Sequence, residues 1–317
     1  DSDLTISPNT NQPCEQFVIN KDLPYVKELY DNGDLLFFAN TGVVNKNGMT
    51  RANYDRITQT RLFAHNTMQE ETKKIDPYST LAGSGVLGRL KDLVATKFNS
   101  VVNAIGIKYN SISLSGDPAK AISTLIVGGN GPIPFGNRPS KKETSELYFD
   151  LEGYVAELNS EQDAFSGIYG ETWSETFISG IVENDRVTEY IEKDTVKLDD
   201  SIWELEPEED KVYREFQTLS RLIQTRADRH VDRDMYTIEY GGWDHHDSTK
   251  TNLAEKLPVV NRNLKRLCEQ LKEDGLWNNV TIVVASEFGR TMTPNSNDGS
   301  DHGWGGNYFV IGGGIAE

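Results

Sequence analysis

The chain has 317 residues, with 32 Lys+Arg against 49 Asp+Glu and a formal net charge of −17 at pH 7, a field that repels phosphate backbones and anionic lipid and excludes nucleic acid and a bare membrane surface as partners. A mean hydropathy of −0.54 and the lack of any apolar run near the roughly 20 residues of a spanning helix exclude a helical membrane span. The length can bury one large α/β core without requiring a second domain. The two cysteines, Cys14 and Cys268, match neither a CxxC metal pattern nor a dense disulfide framework, which leaves one disulfide or two free thiols.

In chain order, DSDLTISPNT opens without a signal-peptide core. LLFFA (35–39) is the first short apolar run, and His65, in RLFAHNTMQEE, falls on a helical stretch and reads as a packed or surface histidine. STLIV (123–127) is the next run. From about Asn137 to Asp210 the pattern turns acidic and weakly apolar, as in VAELNSEQDAF and SGIVENDRVTEYIEKD, and predicts a helical insertion or peripheral layer with a solvated charged face. Phe216, Leu219, Leu222 and Ile223 then mark one helical face, ahead of the turn ADRHVDRD, where His230 reads as solvated, and the strand MYTIEY (235–240). Leu253, Leu257, Val260, Leu264, Leu267 and Leu271 lie on one stripe of a helix, which Gly275 suits as a left-handed C′ residue. VTIVVA (280–285) and YFVI (308–311) complete the strands, and the sequon at Asn279 reads as chance.

Short continuous apolar runs are the habit of strands covered on both faces, and strand, helix, strand around residues 235–285 predicts a βαβ unit with a right-handed crossover. The expected fold class is α/β, a mostly parallel central sheet covered by helices on both faces, in a single domain over residues 1–317 with a helical insertion at 137–210.

In such sheets polar groups gather beyond the carboxyl ends of the strands. GGWDHHD follows MYTIEY, SEFGRT follows VTIVVA, and GSDHGWGG precedes NYFVI. In an extended chain past Gly242, Asp244 and His246 face together and His245 faces oppositely. A carboxylate beside an imidazole is the first half of a zinc, manganese or iron site. Glu287, Asp301 and His302 are the further candidate ligands, and Arg290 is the candidate anion clamp. Structural readings stand beside these. Asp244 and Asp247 suit helix capping near Ser248, Glu287 and Arg290 suit a buried ion pair, and Gly241, Gly242, Gly303, Gly305 and Gly306 suit tight turns. Trp243 and Trp304 flank the clusters either as walls for a carbohydrate or as core.

RLIQTRADRHVDRDMYTIEYGGWDHHDS, LWNNVTIVVASEFGRT and NDGSDHGWGGNYFVIGGG, over about residues 213–314, resemble the C-terminal signature of the domain of unknown function 1501 family. DLLFFANTGVV, RLFAHNTMQEET and SGVLGRL resemble it more loosely. That family is grouped with the alkaline-phosphatase and sulfatase superfamily, whose members share an α/β sandwich and hydrolyse phosphate or sulfate esters at metal ions. The resemblance implies an alkaline-phosphatase-like fold and a metal-dependent hydrolase acting on a small anionic ester. Asp244 and His246 then correspond to the aspartate and histidine of a metal site and His302 to its later histidine. Glu287 falls where the superfamily places further ligands, without an adjoining histidine, which favours one metal over two. The cofactor implied is a divalent ion, zinc, manganese or calcium; with such an ion Arg290 would neutralise growing charge, and His245 would support a ligand from behind or serve as leaving-group acid. DSDLTISPNT has no counterpart to the superfamily's aspartate and nucleophile segment, and the family normally continues past GGGIAE, so truncation at both ends is expected. Export to the periplasm, cell surface or medium is implied in the same way. The rival expectation is a non-catalytic structural or interaction protein that retains the scaffold.

Overall fold

The computed structural model describes residues 4–8, 11–74, 76, 78, 83–117, 125–131, 157, 167–204 and 212–315. The first part carries strands β1 (Leu4–Ile6) and β2 (Phe17–Ile19), helix α1 (Pro24–Asp31), strand β3 (Leu35–Thr41) and the short helices α2 (Tyr54–Ile57) and α3 (His65–Glu71). Helix α4 (Val86–Phe98), strands β4 (Val102–Ile107) and β5 (Leu125–Val127), and helices α5 (Ile168–Ile191) and α6 (Tyr213–Gln224) follow. Strand β6 (Arg233–Thr237), helix α7 (Thr249–Glu273) and strands β7 (Ile282–Val284), β8 (Gly289–Arg290), β9 (His302–Gly303) and β10 (Gly306–Ile311) complete the order.

The described strands form two separate three-stranded sheets, which corrects the expectation of one mostly parallel central sheet of alkaline-phosphatase type covered on both faces. β5-β4-β6 is parallel, whereas β3-β10-β7 is antiparallel; β1 with β2 and β8 with β9 make two-stranded antiparallel pairs. A continuous apolar run reports burial and is silent on the pairing partner. LLFFA pairs in antiparallel register with YFVI, Phe37 opposite Phe309 and Leu36 opposite Val310. The runs are also less covered than they read. Leu35 is buried while Leu36 and Phe38 are 49% and 47% exposed, and Val283 is 67% exposed, so one face of the antiparallel sheet lies open. β6 and β7 flank the predicted crossover helix but belong to different sheets. Between them runs a cleft of about 2270 Å³ that reaches His65, Asp244, Glu287 and Arg290.

Helix α7 holds the two halves together. Its Leu267 and Leu271 pack into a core with Ile105 and Ile107 of β4, Val127 of β5, Val187 and Ile191 of α5 and Leu222 of α6. Its Leu264 and Cys268, one face round, pack with Tyr25, Val26 and Leu29 of α1, Leu35 of β3 and Ile311 of β10. Burying each such side chain is worth roughly 1.5–3 kcal/mol, so one amphipathic helix stabilises both sheets. The helix ends as its sequence predicts: Gly275 has φ +68°, and the amide of Leu276 donates to the Leu271 carbonyl at 2.7 Å, the closing bond of a glycine-terminated helix.

The entry into β6 is held by the buried Arg229, which donates to both carboxylate oxygens of Asp234 at 3.2 and 2.6 Å, to the Leu222 carbonyl and to Thr225 Oγ1. That network ties the end of α6 to the strand. Of the expected insertion, residues 137–166 apart from Glu157, and 205–210, lie outside the described residues, VAELNSEQDAF included. The remainder forms α5, with Ile181, Val187 and Ile191 buried and Glu183 and Arg186 about half exposed. Both cysteines are free thiols, Cys14 exposed and Cys268 buried. No described helix is long and apolar enough to cross a membrane.

Candidate metal centre

Three loops distant in sequence are sewn together by backbone hydrogen bonds. The segment after β6 meets the segment before β9: the Ser300 amide donates to the His245 carbonyl at 3.0 Å, the Ser248 amide to the Asn297 carbonyl at 3.1 Å, and the Thr249 amide to the Asp298 carbonyl at 3.0 Å. The loop after β7 joins through the β8–β9 ladder, Arg290 opposite His302. Glycine makes these crossings possible. A Cβ on Gly299 would sit 2.0 Å from the His246 carbonyl oxygen, and one on Gly289 would sit 1.9 Å from that of Gly305, separations no side-chain carbon tolerates.

The result is a cluster around one oxygen. Asp244 Oδ1 lies 2.9 Å from His246 Nε2, 3.0 Å from His302 Nε2, 3.3 Å from His65 Nε2 and 3.0 Å from Arg290 Nη1. His246 Nε2 and His302 Nε2 are 3.0 Å apart. His65, Asp244 and His302 offer ligand atoms all within 4.8 Å of one another.

The opposite nitrogen of each ring is occupied. His65 Nδ1 lies 2.7 Å from Glu287 Oε1, His246 Nδ1 3.3 Å from Asp301 Oδ1, and His302 Nδ1 2.7 Å from the Phe63 carbonyl oxygen. A carbonyl oxygen only accepts, so His302 carries a proton on Nδ1, and in its neutral form Nε2 is a bare lone pair. His65 and His246 have a carboxylate oxygen at both ring nitrogens, Glu287 and Asp244 for the first, Asp301 and Asp244 for the second. Three Nε2 atoms thus crowd one carboxylate oxygen, a set satisfied either by protons on the rings or by a cation that takes their lone pairs. His65 Nε2 shows this most directly. It is buried and makes no hydrogen bond, its 3.3 Å approach to Asp244 being close enough to pair charges but not aligned as a hydrogen bond.

The electrostatics follow. Burial pulls the His65 imidazole down, but hydrogen bonding to Glu287 and the charges of Glu287 and Asp244 outweigh it and hold it above its ordinary value. Burial pushes the Asp244 carboxyl up, but His302, Arg290, His65 and His246 together hold it well below the carboxylate range. Glu287 is likewise raised by burial and lowered further by His65. Arg290 is fixed by donating from Nε to the Ser300 carbonyl at 3.0 Å and from Nη2 to the same oxygen.

Of the residues expected from sequence, Asp244, His246 and His302 meet at the centre, and Arg290 stands beside them. Glu287 and Asp301 sit behind imidazoles, each against an Nδ1. The chain past Gly242 is turned rather than extended, with the amides of His245 and His246 donating to the Trp243 and Asp244 carbonyls at 2.9 and 3.2 Å; His245 is buried, with Nε2 3.1 Å from the Gly242 carbonyl, and burial, with Lys256 and Arg290 nearby, lowers its proton affinity. His65, which its helical context marks as a packed or surface histidine, stands instead in the cluster. It lies 179 positions before Asp244, and the one signal for it was scarcity, since the whole chain has five histidines. Trp304 packs over Gly42 and donates Nε1 to the Val43 carbonyl at 2.8 Å, and Trp243 donates to the Tyr240 carbonyl at 2.6 Å; each indole thus braces a turn.

Residues 191–317, which contain all of the cluster except His65, match the model of the family described as Protein of unknown function (DUF1501). That segment is less than half of the chain, and over it the sequence is similar to this family. No curated protein and no solved structure matches the chain.

Proposed function

We propose that this chain, similar over residues 191–317 to the DUF1501 family, is a metal-dependent hydrolase of phosphate or sulfate esters. The observation that carries the reading is the convergence of three imidazole Nε2 atoms on Asp244 Oδ1, each ring braced from behind. A divalent ion fits this donor set, because it takes the ring lone pairs and gives the buried His65 Nε2 the partner it lacks. Asp244, His65, His246 and His302 would hold it. When bound, such an ion supplies Lewis acidity at an ester oxygen and makes a neighbouring water or hydroxyl more nucleophilic.

The chain's own groups do the rest. Arg290, pinned by the Ser300 carbonyl and by Asp244, places a fixed positive charge at the rim, where it offsets charge that grows on non-bridging oxygens as the nucleophile adds and the ester oxygen leaves. The cleft between β6 and β7 gives a small anion a way in. His245 holds the turn through Gly242 rather than facing the reacting atoms. Export of the protein, as the family resemblance implies, is part of the same proposal.

One observation favours a second reading, a non-catalytic scaffold. Asp244 is already neutralised by Arg290, and with His65, whose proton affinity is raised by Glu287 and Asp244, carrying its proton the cluster closes as an ion-pair network. Elemental analysis of protein purified without chelators, with p-nitrophenyl phosphate and p-nitrophenyl sulfate assays on the wild type, Asp244→Ala and His302→Ala, separates the two. The hydrolase reading expects a bound metal and turnover lost in both variants. A metal-free protein that cleaves neither ester overturns it.

A further inference from the structure

Glu287 is the cluster's best-placed acidic residue after Asp244, yet it does not touch Asp244. Its Oε1 lies 2.7 Å from His65 Nδ1, its Oε2 3.3 Å from Ser286 Oγ, and its side chain is only 23% exposed. His65 opens α3 and packs tilted against Phe288 and edge-to-face with His302, with ring centroids at 4.9 and 4.6 Å. These contacts leave the ring little freedom, and the hydrogen bond to Glu287 decides which nitrogen faces Asp244.

We propose that His65 is a metal ligand and that Glu287 is its positioning residue, so that the centre presents three imidazoles and one carboxylate and selects a borderline ion of the zinc or cobalt class over calcium or magnesium. This rests on reading the cluster as a metal centre, and it reassigns Glu287 from ligand to brace. The donor chemistry supports the selection. Calcium and magnesium take oxygen ligands, six or more for calcium, whereas imidazole nitrogens suit zinc and cobalt. Four ligands at the 2.0–2.1 Å of zinc bonds stand about 3.3 Å from one another in a tetrahedron. Asp244 Oδ1 is 2.9, 3.0 and 3.3 Å from the three Nε2 atoms and His246 is 3.0 Å from His302, while the atoms of His65, Asp244 and His302 lie within 4.8 Å of one another, so binding one ion draws the His65 and His246 rings together around Asp244. A carboxylate behind a ligating imidazole is the usual brace, and its loss weakens metal binding about 10–100-fold.

The test is cobalt(II) titration of the full chain, followed by visible absorption, on the wild type, His65→Ala, Glu287→Ala and Glu287→Gln, with the metal-free melting temperature of each as the folding control. His65→Ala should change the cobalt spectrum and weaken binding. Glu287→Ala should weaken it about 10–100-fold, while Glu287→Gln, whose amide oxygen still accepts from Nδ1, should stay within about tenfold of wild type. A large excess of calcium should leave the cobalt spectrum in place. The proposal is overturned if Glu287→Gln binds as poorly as Glu287→Ala, the signature of a direct ligand, if His65→Ala binds as wild type does, or if calcium displaces cobalt. A Glu287→Ala effect that merely tracks a lost melting temperature, with Glu287→Gln unaffected, leaves the His65 arm to decide. No arm reads ester cleavage, so a chain that binds cobalt in this way and cleaves neither ester overturns the hydrolase and leaves the centre standing.

Discussion

Zinc should raise the melting temperature of this chain, and the size of the rise can be worked out. An ion that binds only the folded state at about 100 times its Kd contributes about 2.7 kcal/mol. Unfolding entropy near 2.1 cal/mol/K per residue gives about 0.67 kcal/mol/K for a chain of this length, so the midpoint should rise by about 4 °C over an EDTA-treated control. His246→Ala is the informative perturbation. Its side chain is 47% exposed and its ring pairs with the half-exposed Asp244 at 2.9 Å and the exposed Asp301 at 3.3 Å, exposed contacts worth about 0–1 kcal/mol each, so the metal-free variant should melt within about 3 °C of wild type. Loss of the Nε2 ligand should weaken binding about 100-fold or more; the same zinc concentration then contributes about 0.4 kcal/mol, and the shift falls below about 1 °C. Differential scanning calorimetry of both proteins, with and without zinc, measures all four midpoints. Equal zinc shifts in wild type and variant would show that the ion binds elsewhere, and no shift in wild type would show that the cluster holds none.

Gly299→Ala should destabilise the fold by about 1–3 kcal/mol or more and blunt the zinc response, because the new methyl would meet the His246 carbonyl and the Asp247 amide; Gly241→Ala, with open space around it, is the control, and equal melting curves for the two would contradict the account. Cys268, whose thiol burial pushes up to about 12 from its ordinary 9.0, should resist alkylation at pH 8 until the protein unfolds, while the exposed Cys14 reacts at once, as mass spectrometry of partially alkylated protein will show. Because the folded value is the higher one, the stability Cys268 contributes is complete below pH 9 and is lost between pH 9 and about 12, at up to about 1.4 kcal/mol per pH unit. Cys268→Ala should flatten part of that decline in urea titrations. Tyr25, also raised by burial and by Cys268 and Glu269, supplies a further part in the same direction.

Local signals carried far in this chain. The amphipathic stripe of α7 and its glycine stop depend on spacing of a few residues, and spacing of that order is legible in a sequence; the loops after β6 and β7 and before β10 were likewise legible as polar clusters at strand ends. His65 and the roles of Glu287 and Asp301 are not of that kind. His65 becomes part of the centre only because the loop before α3 supplies the Phe63 carbonyl to His302 and sets its ring against Phe288, contacts between segments more than 200 positions apart.

What the sequence determined by itself is the set of elements and the chemistry of the side chains at their ends, because dihedral preference and the period of burial act over one or two turns of chain. Which strands share a sheet, and which imidazole stands opposite which carboxylate, was decided by the tertiary structure. An apolar run gains nearly the same free energy against any apolar partner, so its pattern carries no address, and only the closed network of backbone hydrogen bonds and glycine crossings fixes the partner.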